Sequence, residues 1–188
     1  MRQMTPEAFV ENLAAAQRGD EASFTALFRA TQPAVLRYLR VVAGHRAEDL
    51  AAETWLQVVR GLSSFSGAEP AAFRGWVMSI ARHRWMDDMR ASARRPDVAL
   101  YALPDRPAES DVAASVDEII TTEAALALIA RLPRDQAEVV ALRFIADLDV
   151  AGTAELLRKQ PGTVRVLAHR GLKRLETILQ AGSPADQL

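Results

Sequence analysis

Hydrophobic residues recur with a helical period along almost the whole chain. Apolar side chains spaced three and four residues apart predict amphipathic helices, and no run alternates as a half-buried strand does. The predicted helices cover residues 5–19, 21–42, 46–60, 71–93, 116–131, 133–146, 150–158 and 161–180. The pattern therefore predicts an all-α protein.

The helical pattern lapses in one place, between residues 95 and 114. Pro96, Pro104 and Pro107 lie there among acids and alanines, and this composition is typical of a linker. We therefore predict two small helical domains, residues 1–95 and 115–188, joined by a flexible linker over residues 96–114. The last helices of the second domain form a helix-turn-helix.

The amino-acid composition excludes several kinds of functional site. An apolar share of 49% of the 188 residues is enough to form a core. There is no cysteine, which excludes disulfides, thiolate metal sites and cysteine nucleophiles. No signal peptide or eighteen-residue apolar run is present, so we expect a cytoplasmic protein that is not inserted in the membrane. No metal site, cofactor or homo-oligomer is expected.

Charge is segregated along a chain whose net charge is only -1. Residues 158–174 contain six cations and no acid, whereas residues 97–123 contain seven acids and one arginine. A basic end behind an acidic connector indicates an anion-binding module whose access is open to modulation by the rest of the chain or by a partner.

The basic segment has the spacing of a helix-turn-helix, with a short helix, a break and a longer helix. One face of the long helix is predicted to meet the core: Val164, Leu167, Ala168, Gly171, Leu172, Leu175, Ile178 and Leu179. The opposite face carries Thr163, Arg165, Val166, His169, Arg170 and Lys173. A valine among cations suits a major groove, where it meets thymine methyls while arginines reach guanines or phosphates. A merely solvated basic helix is the alternative.

The helix predicted over residues 46–60 has an unusual outer face. Leu50, Ala51, Thr54, Trp55 and Val58 form its core side, and Asp49, Glu53, Leu56 and Arg60 lie opposite. A leucine ringed by charges indicates a docking ridge with an apolar anchor. The alternative is a solvated acidic face with one exposed leucine.

The helix predicted over residues 71–93 buries Phe73, Trp76, Val77 and Ile80 and directs Trp85 away from them, with Arg82 and Met89. A tryptophan flanked by Arg82, Arg84 and Arg90 is suited to stacking on unpaired bases while the cations hold phosphates. Alternatively, Trp85 packs against a neighbouring helix. Asp87 is expected toward the buried side, paired with His83 or Arg84.

Three segments in this order resemble the extracytoplasmic-function (ECF) sigma factors of bacterial RNA polymerase. Residues 48–56 (Glu-Asp-Leu-Ala-Ala-Glu-Thr-Trp-Leu) resemble the core-binding motif, and residues 73–90 resemble the promoter-melting helix. Residues 132–144 and 162–170 resemble the fourth region. The sequence departs from the family pattern at Ala52, His83, Leu167 and Arg158, the last of which stands where the turn often has glycine.

The resemblance implies a promoter-recognition subunit that binds core polymerase through its β′ and β subunits. Asp49, Glu53 and Leu56 would contact the β′ clamp helices. Residues of the loop 63–69 (Ser63, Ser64, Phe65 and Ser66) would hold a flipped base of the minus-ten element, with Arg82, Arg84, Trp85 and Arg90 on the adjoining strand. Thr163, Arg165, Val166, His169, Arg170 and Lys173 would read the minus-thirty-five duplex. An anti-sigma protein is an expected partner.

Two other functions remain open at this point. A stand-alone helix-turn-helix regulator needs no docking ridge and normally dimerises on a two-fold site. An enzyme is disfavoured, because the three histidines (His45, His83 and His169) are scattered and no phosphate loop, metal spacing or nucleophile motif is present.

Overall fold

The computed structural model describes the backbone of residues 4–94 and 116–182. The described residues are helical with turns between the helices, which confirms the all-α prediction. The helices are α1 (Pro6–Gln17), α2 (Glu21–Ala43), α3 (Ala47–Gly61), α4 (Pro70–Arg94), α5 (Val116–Ala130), α6 (Arg134–Val140), α7 (Val150–Leu157) and α8 (Pro161–Gly182). Short 3-10 turns precede and follow α3, and α6 continues into a π-helical segment, Ala141–Ile145.

Side chains at the helix starts explain why these elements begin where they do. The Asp20 carboxylate accepts a hydrogen bond from the Ser23 amide at 2.7 Å, and Asp149 accepts one from the Gly152 amide at 2.6 Å. Each bond satisfies an amide that has no partner within its helix. Both helices therefore begin immediately after an aspartate.

The first domain packs α1 to α4 around an aromatic and aliphatic core. Phe9, Tyr38, Leu50 and Phe73 are buried there, and the rings of Phe9 and Phe73 have centroids 5.7 Å apart. The core side predicted for the third helix is confirmed, since all five residues of that set are buried. The outer face of α3 is thereby turned to solvent.

The second domain is built on the close approach of α6 and α8. A Cβ atom at Gly171 would lie 2.7 Å from Val140 Cγ2, so only a glycine permits this helix separation. Val164 is fully buried, as predicted, but Leu172 and Leu179 are exposed. The predicted core stripe of α8 is therefore wrong at Leu172 and Leu179, whereas Gly171 is buried and Leu175 is half-buried against the core, as predicted.

The two domains pack against each other. Helix α2 lies against α5, α6 and the π-helical segment, and α4 lies against α7. The buried side chains of both domains form one continuous cluster. The linker predicted over residues 96–114 lies outside the described residues.

Candidate functional site

The outer face of α3 carries the predicted docking ridge. Leu56 has 59% of its surface exposed, and the side chains of Asp49 and Glu53 are also exposed on the same helix. Arg46 forms an ion pair with Asp49 at 2.5 Å and with Asp88 at 3.1 Å. The ridge therefore presents an apolar side chain beside acidic ones, and the orientation of one acid is fixed by a neighbour.

Sequence reasoning missed a second apolar residue on this face. Val59 is 56% exposed and lies three residues after Leu56, one turn further along α3. The three-residue spacing of Leu56 and Val59 in the sequence could have revealed it. Together the two side chains form an apolar patch, and contiguous exposed apolar surface of this kind marks interaction sites.

The loop between α3 and α4 exposes Ser63, Ser64 and Ser66 and half-buries Phe65. The Phe65 ring stacks on Trp76, with centroids 4.9 Å apart, and meets Phe73 edge-on at 5.5 Å. The position of Phe65 inside an aromatic cluster fixes the loop while the three serines project outward.

Helix α1 also fixes this loop. The Gln17 side-chain amide donates hydrogen bonds to the carbonyl oxygens of Leu62 at 3.0 Å and Phe65 at 2.7 Å. Sequence reasoning assigned no role to Gln17, because nothing in the local pattern indicates a contact across more than forty residues of chain.

Two arginines of α4, Arg84 and Arg90, form ion pairs with the same aspartate. Asp87 bridges Arg84 at 3.3 Å and Arg90 at 3.0 Å, and its own side chain is half exposed. The predicted pairing of Asp87 with Arg84 is confirmed, but the prediction that Asp87 turns toward the buried side is wrong. Ion pairs this exposed are weak, so Arg84 and Arg90 can exchange the carboxylate for a phosphate.

The predicted exposure of Trp85 is wrong. Only 3% of its surface is accessible, because the second domain covers it and the Arg134 guanidinium lies 4.7 Å from its ring centroid. The alternative interpretation, that Trp85 packs against a neighbouring helix, is therefore the one that the structure supports. The helix involved, α6, belongs to the other domain.

Arg82 is also engaged by the second domain. Its Nε donates to Glu138 Oε1 at 2.7 Å, and the Tyr38 hydroxyl donates to the same oxygen at 3.4 Å. The Glu138 side chain is only 5% exposed. Burial, with the nearby Glu138 charge as a second cause, raises the pKa of Tyr38 well above its usual value of 10, which keeps the hydroxyl a donor.

Sequence reasoning missed Glu138. A signal existed, since this acid stands inside the otherwise apolar run Ala137–Leu142. An acid on the buried face of a helix needs a partner, and the sequence alone does not say from which domain the partner comes.

The predicted reading face of α8 is solvent-exposed throughout. Val166 is 48% exposed, and the polar members of the set are exposed beside it: Thr163, Arg165, His169, Arg170 and Lys173. Among the described residues, no carboxylate lies within 4.0 Å of these cations. The face is therefore available to a polyanion.

The turn between α7 and α8 contains a strained residue. Arg158 adopts left-handed backbone angles, φ 52° and ψ 43°, a conformation that glycine adopts without steric cost. This position is the one where the resemblance leads one to expect glycine. The turn therefore keeps its shape despite the arginine.

The described residues contain no group of histidine and acidic side chains that could hold a metal ion. None of the described helices combines the length and the apolar character needed to span a bilayer.

Two family models match the chain, one in each domain. Residues 27–95 match the family model for sigma-70 region 2, and residues 122–175 match the model for sigma-70 region 4. Region 2 therefore covers α3, the serine loop and α4, and region 4 covers the helix-turn-helix.

Two curated relatives are ECF sigma factors. The chain is 31% identical over 176 residues to the ECF RNA polymerase sigma factor ShbA of Streptomyces griseus, covering 88% of this chain and 92% of that protein. It is 32% identical over 167 residues to the ECF RNA polymerase sigma factor BldN of Streptomyces coelicolor, covering 87% of this chain but only 63% of that protein's length.

Two solved structures share the fold. CnrH, solved with the cytosolic domain of CnrY, superposes with a TM-score of 0.65 at 18% identity over 94% of this chain and 99% of CnrH. The sigma factor RpoE of Bartonella quintana, solved with the anti-sigma factor NepR, gives 0.64 at 19% identity over 85% of this chain and 98% of RpoE. The chain belongs to the ECF RNA polymerase sigma factors, which are transcription initiation factors and not enzymes.

Proposed function

We propose that this sigma factor docks on the β′ clamp helices of core polymerase through Asp49, Glu53 and Leu56, with the β subunit as a further partner. The observation that carries the proposal is the 59% exposure of Leu56, which lies between Glu53 and Arg60 on a helix whose opposite side is packed. An apolar side chain at the centre of a charged ring supplies binding energy, and the charges fix the register.

Promoter DNA is the second proposed ligand, bound at two places. The first domain, residues 1–95, holds the minus-ten element with the serine loop and with Arg82, Arg84, Trp85 and Arg90. The second domain, residues 115–188, reads the minus-thirty-five duplex with the exposed face of α8. The support is the exposed cations around Val166, a composition suited to a major groove.

An anti-sigma protein is a proposed regulatory partner, and the cytoplasm is the proposed location. Support for the partner comes from the two solved relatives, which were each determined with a second protein bound.

The stand-alone regulator is the rival function. The match of residues 27–95 to sigma-70 region 2 argues against it, because a stand-alone regulator needs no such domain.

The test is transcription by purified core polymerase from a randomised promoter library. Leu56→Ala should reduce the affinity for core enzyme about tenfold or more, which corresponds to about 1.4 kcal/mol, since it removes a central apolar anchor. Val10→Ala is the matched control, because Val10 is an exposed apolar residue of α1, 47% accessible, outside every proposed surface. Equal transcription and equal core affinity for both variants would overturn the docking proposal.

A further inference from the structure

The first turn of the serine loop (residues 63–66) is held at both ends by one side chain. The Phe65 amide closes a 3-10 turn by donating to the Leu62 carbonyl oxygen at 3.1 Å. The Gln17 side-chain amide donates to the same oxygen at 3.0 Å and to the Phe65 carbonyl oxygen at 2.7 Å. An amide group has two N–H donors, and here both reach the loop. The last residue of α1 therefore sets the distance between the two ends of the turn.

The Phe65 ring interlocks with the backbone of the loop. A Cβ atom at Gly67 would lie 2.5 Å from Phe65 Cζ and 3.1 Å from Ala72 Cβ, so the ring fills the space that any larger residue at position 67 would need. The same ring stacks on Trp76. Phe65 therefore cannot turn toward solvent unless the loop changes shape.

The three serines of the loop differ in what their hydroxyl groups contact. The Ser64 hydroxyl donates to the Gly61 carbonyl oxygen at 2.8 Å, at the end of α3. The Ser63 and Ser66 side chains are exposed, and their hydroxyls have no hydrogen-bond partner among the described residues. A hydroxyl group both donates and accepts. These two side chains can therefore contact a base edge without breaking a bond inside the protein.

Contacts that fix the shape of a loop affect binding before the ligand arrives. A loop that samples many shapes must lose conformational entropy when it binds. The apparent affinity for a ligand also falls in proportion to the fraction of protein in the binding-competent shape. Side chains that hold the loop in one shape therefore strengthen binding and sharpen base preference, although they do not touch the DNA.

We propose that the minus-ten loop is preformed: Gln17, Phe65 and Gly67 are positioning residues that hold its DNA-binding shape before the promoter is contacted. The contacts with the flipped base come from Ser63 and Ser66. The inference rests on the proposed function, because it concerns the same loop. It narrows that function by removing Phe65 from the residues that touch DNA.

Gln17→Glu tests the positioning role. Glutamate keeps the size and shape of the side chain, but a carboxylate cannot donate to the two carbonyl oxygens of the loop. Asn12→Asp is the matched control, because it makes the same change from amide to carboxylate on the same helix. The Asn12 amide donates to the Ala8 carbonyl oxygen at 2.6 Å, within α1. Any general effect of the added negative charge on DNA binding is therefore shared by the two variants.

The first readout is made on the full chain without DNA. Amide hydrogen exchange at Phe65 reports on the 3-10 turn, since this amide bonds to the Leu62 carbonyl. In Gln17→Glu the exchange should be about tenfold faster than in the wild type, because the turn loses the two bonds that hold its ends. Asn12→Asp should exchange at the wild-type rate.

The second readout is made on the full chain bound to core polymerase. The probe is the single-stranded minus-ten segment, from the non-template strand, of a promoter selected from the randomised library. Gln17→Glu should bind it about tenfold more weakly and should discriminate less between the four bases at the flipped position. Affinity for core enzyme and for the minus-thirty-five duplex should stay at the wild-type value. A merely structural role would lower core affinity as well, because α3 belongs to the same domain.

The outcomes separate the two proposals. Equal Phe65 exchange and equal oligonucleotide affinity for Gln17→Glu and Asn12→Asp would overturn the positioning role and leave the proposed function standing. A parallel loss of core affinity in Gln17→Glu would also overturn it. Faster exchange in Gln17→Glu, with no oligonucleotide binding by the wild type or any variant, would overturn the assignment of the loop to minus-ten DNA.

A second variant covers the case in which Gln17→Glu fails to fold. Gly67→Ala pushes the Phe65 ring from its place, whereas Gly75→Ala adds the same methyl group where no side chain lies within 4 Å. Gly67→Ala should weaken oligonucleotide binding about tenfold at unchanged core affinity, and Gly75→Ala should not. Equal oligonucleotide affinity for these two variants would contradict the role of Gly67.

The serines give the complementary test. Ser63→Ala and Ser66→Ala should each weaken oligonucleotide binding about fivefold, because each removes one hydroxyl that contacts the base. Neither should change the exchange rate at Phe65, since the loop keeps the bonds that fix its shape. Wild-type oligonucleotide affinity in both variants would overturn the base contacts assigned to Ser63 and Ser66.

Discussion

Replacing Gly171 by alanine should destabilise the second domain, although alanine is the better helix former. The alanine Cβ would lie 2.7 Å from Val140 Cγ2 and 3.6 Å from both Gln136 Cβ and Leu132 Cδ1. Val140 is only 1% exposed and β-branched, so its methyl group cannot move aside without displacing other core atoms.

The magnitude follows from two opposing effects. Alanine in place of glycine favours a helix interior by about 1 kcal/mol, whereas forcing an extra methyl into a filled core costs about 1–3 kcal/mol. A clash this close, against a side chain this confined, belongs to the upper part of that range. We expect a net loss of about 1–2 kcal/mol in the free energy of unfolding.

Gly75 is the matched control. It also lies inside a helix, α4, but apart from its chain neighbours and the helix's own backbone no heavy atom lies within 4 Å of the position its Cβ would take. Gly75→Ala should therefore stabilise the protein by about 0.5–1 kcal/mol through helix propensity alone. Urea denaturation followed by far-UV circular dichroism measures both. An unchanged or higher stability for Gly171→Ala would refute the close approach of α6 and α8.

Two further predictions concern the ends of helices. Arg158→Gly should stabilise the fold by up to ~1 kcal/mol, because it relieves the strain of the left-handed backbone. Arg158→Ala keeps the strain and should not stabilise the fold. Equal urea midpoints for the two variants would contradict this account. Hydrogen bonds from the Ser23 hydroxyl and amide hold the pKa of Asp20 below its usual 3.8. The stability that this cap contributes is therefore present above pH 3.8 and is lost as the pH falls through the lower pKa of Asp20 in the folded state. Asp20→Asn, which caps without titrating, should show a smaller fall in urea midpoint between about pH 5 and about pH 3, and an identical fall would refute the role of the cap.

Much of the fold follows from local sequence. The helix starts at Asp20 and Asp149 are set by capping side chains a few residues from the amides they bind, and the core side of α3 follows from its apolar spacing alone. The exposure of Leu56 and Val166 follows for the same reason. Each is a property of one helix and its own neighbours in the chain.

The error at Trp85 and the omission of Glu138 concern contacts between domains. A helical projection gives the direction of Trp85 relative to its own helix, but it carries no information on α6, which covers that side chain. The partners of Glu138 could not be predicted from the sequence for the same reason, because Arg82 lies 56 residues away, on the other side of the acidic connector. Contacts at such separations depend on how two folded bodies meet, which no local pattern encodes.

The two hydrogen bonds of Gln17 have a consequence for how the protein can be shortened. The region 2 match begins at residue 27, so α1 lies entirely before it, yet Gln17 tethers the serine loop and Phe9 contributes a buried ring to the neighbouring cluster. A fragment trimmed to residue 27 would retain the residues proposed to contact the promoter, but it would lose the side chains that hold the serine loop in place. The first domain as it packs therefore begins before residue 27, where the region 2 match begins.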